Sequence, residues 1–191
     1  GGTLAFTIKE NNWLGEGKSL AFDIQLDEES LAGELTYSDP NYDFLGNSIY
    51  YSISNAKNDK PDQGYENSIV SGSIGTSFEQ YRNLNVNLGL SASYDDLKTL
   101  STASSSLKKQ AGNFTEFSGN YGFTYDKRNR VFMPTSGSII SFNQSLPIHA
   151  DRMFVANTFS LSGYKSFSED FVGAGKIYLS AVNGLQGDDV R

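Results

Sequence analysis

Apolar and polar residues alternate along almost the whole chain, most clearly over 20–26, 84–94 and 117–125. Because successive side chains of an extended chain point to opposite faces, this pattern predicts β-strands with one apolar and one polar face. Helix-period stretches are hard to find. Asn157 falls at an apolar position and weakens the pattern of one strand. We predict an all-β fold of ten strands at residues 3–10, 18–26, 31–38, 47–55, 67–78, 84–94, 113–125, 138–146, 153–164 and 171–182.

Alternation alone does not separate a soluble sandwich from an antiparallel transmembrane β-barrel. The polar face consists of Ser, Asn, Gly and Thr, whereas a face in bulk water normally carries Lys and Glu. A basic residue on the lipid face costs about 2–4 kcal/mol at the bilayer midplane, so charges should face the lumen. The charges within predicted strands all occupy the polar phase, which favours the barrel, although a sandwich would avoid the apolar phase too. We predict four lumen-facing charges: Asp23, Glu34, Glu116 and Lys176.

Aromatic residues make up 13% of the chain and cluster near predicted strand ends. Interfacial girdles of a barrel have this distribution, and ordinary core packing is the alternative interpretation. The members are Phe6, Trp13, Tyr37, Tyr42, Phe44, Phe78, Tyr81, Phe123, Tyr125, Phe132, Tyr164, Phe167 and Phe171.

The predicted connections differ in length. Residues 55–66 and 95–112 are interpreted as long polar loops, with a mobile tract at 101–106, whereas 79–83 and 165–170 are short links. Outer-membrane barrels carry their long loops outside the cell and their short turns on the periplasmic side. Both long loops are therefore expected at the cell surface.

Composition excludes several classes of protein. A net charge of -7 and a pI near 4.7 argue against nucleic-acid binding. The absence of cysteine excludes disulfides and thiolate sites, and no apolar run approaches the ~20 residues of a transmembrane helix. No signal peptide opens the chain, and Gly1 begins within the pattern. We interpret residues 1–191 as one barrel-domain segment of a longer protein.

Candidate chemistry is sparse. His149 is the only histidine and follows Pro147 in a predicted hairpin link, which favours a solvated residue over a catalytic one. The acids of loop 55–66 lack calcium-loop spacing. Asn113 and Asn143 begin glycosylation-like triplets, but both fall at or inside predicted strands. We predict no enzymatic activity, no metal and no cofactor.

Two turns are more distinctive than the others. In residues 11–17, Asn-Asn-Trp-Leu-Gly-Glu-Gly, the two glycines allow positive φ angles and Trp13 can anchor the turn at the lipid interface. In residues 122–137, Pro134 stiffens the exit, Gly137 permits the return, and Asp126 can pair with Arg128.

Together these turns resemble two signatures of the BamA family of the bacterial surface-antigen superfamily. The family patterns are a WLGxG-type turn and, later, a Y-(D/N)-x-x-(D/N)-R-x-x-x-P-T-x-G-type turn. Residues 38–42 resemble a third, T-N-P-Y-type turn. Arg128 and Asn129 occupy variable positions, so a related transporter or the mitochondrial sorting homologue stays open. The matching residues are Trp13, Leu14, Gly15, Gly17, Pro40, Tyr125, Asp126, Arg128, Pro134, Thr135 and Gly137.

The resemblance implies a sixteen-stranded barrel, of which this chain would supply the second to eleventh strands. Trp13, Pro40 and Pro134 would lie on periplasmic turns. The gate strand, the Val-Arg-Gly-Phe loop and the periplasmic POTRA domains would lie outside this chain, so no residue of the insertion machinery itself is assigned.

The function implied is folding and insertion of other barrels in the outer membrane of a Gram-negative bacterium. Its partners would be unfolded outer-membrane clients, accessory assembly lipoproteins and outer-membrane lipid. The alternatives are a barrel of the same superfamily that secretes one partner, and a passive porin or adhesin. A mitochondrial outer-membrane location is less favoured, and a soluble sandwich and an outer-membrane enzyme rank lowest.

Overall fold

The computed structural model describes residues 2–185, which form one antiparallel sheet of ten strands. Each strand pairs with the next along the chain, and β1 and β10 do not pair with each other, so the sheet is an open section of a barrel wall. The predicted ten-stranded, all-β fold is confirmed. The strands are β1 Leu4–Trp13, β2 Lys18–Leu26, β3 Ser30–Asp39, β4 Ser48–Lys60, β5 Tyr65–Tyr81, β6 Leu84–Thr99, β7 Gly112–Asp126, β8 Gly137–Ala150, β9 Phe154–Ser166 and β10 Val172–Gly184.

The strand register keeps the polar and apolar phases aligned across the sheet. Pairing between β4 and β5 runs without a shift from Ser48 opposite Ser77 to Lys60 opposite Tyr65. Register shifts occur only within β1–β2, β5–β6 and β7–β8. Because directly paired residues share a face, the alternation of each strand becomes one continuous polar face and one continuous apolar face.

The two faces differ in exposure. In β4, the polar-phase residues are half-buried, whereas most apolar-phase residues are exposed, including Ile53 at 64%. This difference is expected when a sheet curves toward its polar face.

The described residues enclose almost no hydrophobic core. Leu97 and Ala103, at 8% and 6% exposure, are the only buried apolar side chains among them. Large apolar side chains lie instead on the outer face, such as Leu179 at 60% exposure. Contiguous apolar surface on this scale is unfavourable in water, so this fold requires an apolar solvent on one side.

The long loop predicted at 55–66 is wrong, whereas the one predicted at 95–112 is confirmed in shortened form as residues 100–111. Strands β4 and β5 extend toward each other until only residues 61–64 connect them, and β6 continues to Thr99. The polar residues that suggested loops, such as Lys57 and Glu66, belong to strands that stay paired beyond the apolar band, the part of the sheet where apolar side chains of the outer face alternate with side chains of the polar face. Backbone pairing does not require apolar side chains, so a strand can continue where its alternation ends.

The predicted mobile tract at 101–106 overlaps the start of a short helix. Helix α1 spans Ser105–Gln110 and is capped by Ser104, whose Oγ accepts a hydrogen bond from the Leu107 amide at 3.3 Å. No helix in residues 2–185 is both long and apolar enough to cross a membrane.

The predicted hairpin link around His149 is also wrong. Pro147 and His149 lie inside β8, which continues to Ala150. A register shift between Phe117 and Ser118 on β7 places an extra β8 residue, Ile148, between His149 and Pro147. Proline lacks the amide that a ladder needs, and a bulge is one of the few places in a sheet that tolerates it.

Candidate functional site

The β1–β2 turn is held by an asparagine side chain. The Gly17 amide donates to Asn12 Oδ1 at 2.7 Å, and the Gly15 amide donates to the Asn12 carbonyl at 2.9 Å. Gly15 and Gly17 have φ values of 73° and 72°, as the sequence predicted, and Leu14 also adopts a positive φ of 55°. Trp13 ends β1 with 40% of its surface exposed.

The β3–β4 turn repeats the same construction. The Gly46 amide donates to Asn41 Oδ1 at 2.7 Å, immediately after Pro40. Phe44 adopts a positive φ of 60°. The amide of Leu45 donates to Asp43 Oδ1 at 3.0 Å, and this hydrogen bond lowers the pKa of the Asp43 carboxyl below its usual value.

These two turns share a spacing that the sequence interpretation missed. Asn12 and Gly17 are five residues apart, as are Asn41 and Gly46. In each turn an Asn carbonyl oxygen accepts from the amide of a glycine with positive φ. We call this hydrogen bond between an asparagine side chain and a backbone amide across the turn a turn clasp. The repeated Asn-x-x-x-x-Gly spacing is the signal that could have revealed it.

The β7–β8 turn contains the predicted ion pair. Both carboxylate oxygens of Asp126 accept from Arg128, from Nε at 2.9 Å and from Nη2 at 2.7 Å. Gly137 has a φ of 92°, and a Cβ added there would lie 2.0 Å from the Lys127 carbonyl oxygen. Only glycine fits this return to the sheet.

Asn129 and Arg130 hold the rest of this turn. Asn129 Oδ1 accepts from the Thr135 and Ser136 amides at 3.0 and 3.2 Å, and its Nδ2 donates to Thr135 Oγ1 at 2.8 Å. Arg130 Nε donates to the Met133 carbonyl at 2.8 Å. The sequence interpretation treated Asn129 as variable and gave it no role. Its position six residues before Thr135 was the available signal.

The predicted acidic residues share one row of the polar face. Asp23 pairs directly with Glu34, and Glu116 belongs to the same row through three intervening serines. Thr7 Oγ1 donates to Asp23 Oδ1 at 2.7 Å. The row reads Thr7, Asp23, Glu34, Ser54, Ser71, Ser93 and Glu116.

Lys176 lies on the same polar face but in a different row. It pairs with Ser162, which pairs with Ile139, which pairs in turn with Asp126. All four charges therefore share the polar face, with the three acids in one row and Lys176 in another. Tyr164 was predicted for the aromatic girdle but lies on the polar face instead, because it is two residues from Ser162 on β9.

Side chains lie over glycines on the polar face. A Cβ built on Gly75 would approach the Tyr50 ring to 2.3 Å, and one on Gly89 would approach Asn120 Oδ1 to 2.5 Å. These close approaches fill the space above each missing side chain. They bring neighbouring strands into contact through side chains as well as through the ladder.

One chain of polar groups crosses the apolar face. Tyr121 Oη donates to Gln144 Oε1 at 2.7 Å, and Gln144 Nε2 donates to Asn157 Oδ1 at 2.6 Å. Asn157 weakened the predicted pattern of β9, and its hydrogen bond explains how it is tolerated at an apolar position. These two hydrogen bonds link three consecutive strands, β7, β8 and β9.

The weaker chemical candidates remain separate from one another. Among the described residues, no three His, Asp or Glu side chains are grouped so that they could hold a metal ion. Asn113 and Asn143 both lie within strands, where the sequence placed them.

These features define the class of protein: a curved antiparallel wall with a polar inner face, an apolar outer face and structured hairpin turns, as in outer-membrane β-barrels. The Omp85 superfamily domain matches residues 12–191, and the chain belongs to that superfamily.

A solved structure has the same fold. The crystal structure of BamA from Haemophilus ducreyi lacking POTRA domains 1-3 superposes with a TM-score of 0.78 at 22% sequence identity. The match covers 98% of this chain and 40% of that chain. The chain therefore spans less than half of the protein it matches, and it has the fold of part of that barrel.

Proposed function

We propose that this chain is part of an outer-membrane insertase that folds and inserts β-barrel proteins. The observation that carries the proposal is the family match over residues 12–191, on a wall with the BamA barrel fold. The proposal includes no enzymatic step. An open sheet edge presents unpaired N–H and C=O groups, which can template an incoming client strand.

Templating addresses the main obstacle to insertion. Each backbone group that enters hydrocarbon without a partner costs several kcal/mol, so a client hairpin must pair before it enters lipid. In the proposed mechanism the gate lies outside this chain. These ten strands form the stable wall against which the gate moves, and their long ladders suit that role.

The orientation follows from where the charged strand ends lie. Hairpin β4–β5 and strand β6 continue past the apolar band with charged residues on both faces, including the ion pair of Lys57 and Glu66 at 2.9 Å. Outer-membrane barrels extend farther on the cell-surface side. We assign this end to the cell surface, which puts the turns with Trp13, Pro40 and Pro134 on the periplasmic side.

Location and partners follow from the same proposal. The host membrane is the outer membrane of a Gram-negative bacterium. The partners are unfolded outer-membrane clients, accessory lipoproteins and the surrounding lipid. A barrel that secretes one cognate partner is the second candidate, because the family match supports a barrel-assembly or related function.

Depletion of the full-length protein in its host, followed by quantitative outer-membrane proteomics, tests the proposal. We expect a broad loss of unrelated barrels, with their precursors accumulating in the periplasm. Loss of one secreted protein would favour the secretion barrel. An unchanged barrel proteome would contradict insertase function and favour a passive pore.

A further inference from the structure

The β7–β8 turn, residues 127–136, carries a tip of three consecutive exposed apolar side chains. Val131, Phe132 and Met133 are 77%, 79% and 69% exposed. Met133 adopts a left-handed φ of 48°, a conformation that costs a non-glycine residue about 1–2 kcal/mol. Phe44 in the β3–β4 turn combines a positive φ of 60° with 89% exposure, so the charge beside the tip has to distinguish the two turns.

The same turn concentrates positive charge in an acidic protein. Residues 126–137 contain Lys127, Arg128 and Arg130 but only one acid, in a chain of net charge -7. Asp126 neutralises Arg128. Lys127 and Arg130 are exposed, and neither forms an ion pair with a described residue. Two uncompensated cations therefore flank the apolar tip.

The turn is continuous with the apolar face of the wall. Tyr125 pairs with Leu84 on that face, and Lys127 Nζ lies 5.8 Å from the centre of the Tyr125 ring. This places the Lys127 ammonium at the edge of the apolar band, where phospholipid headgroups meet the hydrocarbon.

We propose that the β7–β8 turn binds anionic phospholipid of the adjacent membrane leaflet. Lys127 and Arg130 contact headgroup phosphates, and the apolar tip enters the boundary between headgroups and acyl chains. Cations beside exposed aromatic and aliphatic residues are the combination that anionic membrane surfaces attract. Charge complementarity and continuity with the lipid face favour lipid over an acidic polypeptide. The proposal requires a membrane location and does not require insertase activity.

The geometry of the turn suits such a contact. The hydrogen bonds of Asn129 to Thr135 and Ser136, and of Arg130 to Met133, fix the tip before any ligand arrives. A preorganised tip loses little conformational entropy on binding. The β3–β4 turn is a natural control, because it also exposes Phe44 and Leu45, at 89% and 81%, but carries acids and no cation over residues 39–47.

A single fluorescent label tests the proposal in the full-length protein. The chain contains no cysteine, so Phe132→Cys introduces a unique thiol within it for an environment-sensitive dye. The protein is reconstituted in nanodiscs of phosphatidylcholine, with or without phosphatidylglycerol. We expect blue-shifted emission with phosphatidylglycerol, reversed by high salt. The matched label at Leu45→Cys should not respond to lipid charge.

Lys127→Gln removes one charge without disturbing the turn, since the Lys127 side chain donates no hydrogen bond there. We expect it to raise the phosphatidylglycerol content needed for the half-maximal shift about fivefold. An emission shift independent of lipid charge would overturn the proposal. So would a shift that appears only when an unfolded barrel polypeptide is added, which would identify a protein partner instead.

Discussion

At the scale of single residues, turn geometry was only partly predictable. Positive φ angles could be predicted at three positions because the residues are glycines, and the structure has those angles at Gly15, Gly17 and Gly137. The role of Asn129 could not be predicted in this way, because its side-chain amide can bridge the turn only where the backbone folds back toward it. Its partners Thr135 and Ser136 become neighbours only after the turn has folded.

Asn129→Ala should destabilise the β7–β8 turn. It removes the acceptor for two amides and the donor to Thr135 Oγ1, which together contribute about 1–2 kcal/mol at this exposed site. The urea midpoint of the full-length barrel in detergent measures the loss. Asn129→Asp retains both acceptor contacts and should behave nearly as the parent. Equal midpoints for the parent and the alanine variant would refute a clasp.

Acidification should loosen the β3–β4 turn at Leu45. The hydrogen bond from the Leu45 amide lowers the pKa of the Asp43 carboxyl. The stability that this hydrogen bond gives the turn is therefore complete above the ordinary carboxyl pKa of 3.8, and it is lost as the pH falls through the lowered pKa. Hydrogen exchange of the Leu45 amide, relative to Gly46, reports the change. Gly46 donates to the neutral Asn41 side chain and serves as the internal reference. A constant ratio between about pH 5 and about pH 2 would contradict this assignment.

At the scale of elements, alternation predicted all ten strands and both ends of β2, but it missed the extensions of β4, β5 and β6. Strands β4 to β6 continue through polar sequence such as residues 55–60, because their backbones pair beyond the lipid. The alternation of apolar and polar side chains reflects whether lipid or water surrounds the strand. The surroundings change from lipid to water before the backbone hydrogen bonding between strands ends. The helix at 105–110 was missed because its six residues, fewer than two turns, leave little periodicity.

Glycines inside strands differ in what they permit. A Cβ on Gly122 would lie 2.0 Å from Asn143 Oδ1 and 2.6 Å from the Phe142 carbonyl, whereas one on Gly175 meets nothing within 4 Å. Gly122→Ala should therefore destabilise the barrel by about 1–3 kcal/mol, because the Phe142 backbone cannot move freely. Gly175→Ala should be neutral or slightly stabilising. Heat-dependent gel mobility of the two variants compares them, and identical unfolding temperatures would refute the steric argument.

At the scale of the whole molecule, the apolar band is not uniform in height. On β2 it runs from Leu20 to Leu26, about 20 Å along the strand, and on β6 from Leu84 to Tyr94, about 34 Å. A tilt of about 40° reduces these to heights of about 15 and 26 Å. The two lengths can be read from the sequence, but only the strand register shows that the short and the long band share one outer face.

The taper predicts a thinner bilayer beside β1–β3 than beside β5–β7. Lipid adjusts its thickness to a short apolar band at a modest energetic cost. Electron microscopy of the barrel in nanodiscs can measure the distance between headgroup layers near Ile24 and near Leu88. Thickness near both residues equal to that of the distant bilayer would rule the effect out.

The scarcity of buried apolar side chains changes how this wall can vary. In a packed core, shortening a side chain leaves a cavity whose cost adds to the lost transfer energy. Beside Leu88 or Leu179 the neighbour is a fluid acyl chain, which flows into the vacated volume and removes the cavity penalty. The side chains of the outer face must remain hydrophobic, but they need not keep any particular shape. Such tolerance lets a wall drift to 22% identity while its backbone still superposes with a TM-score of 0.78.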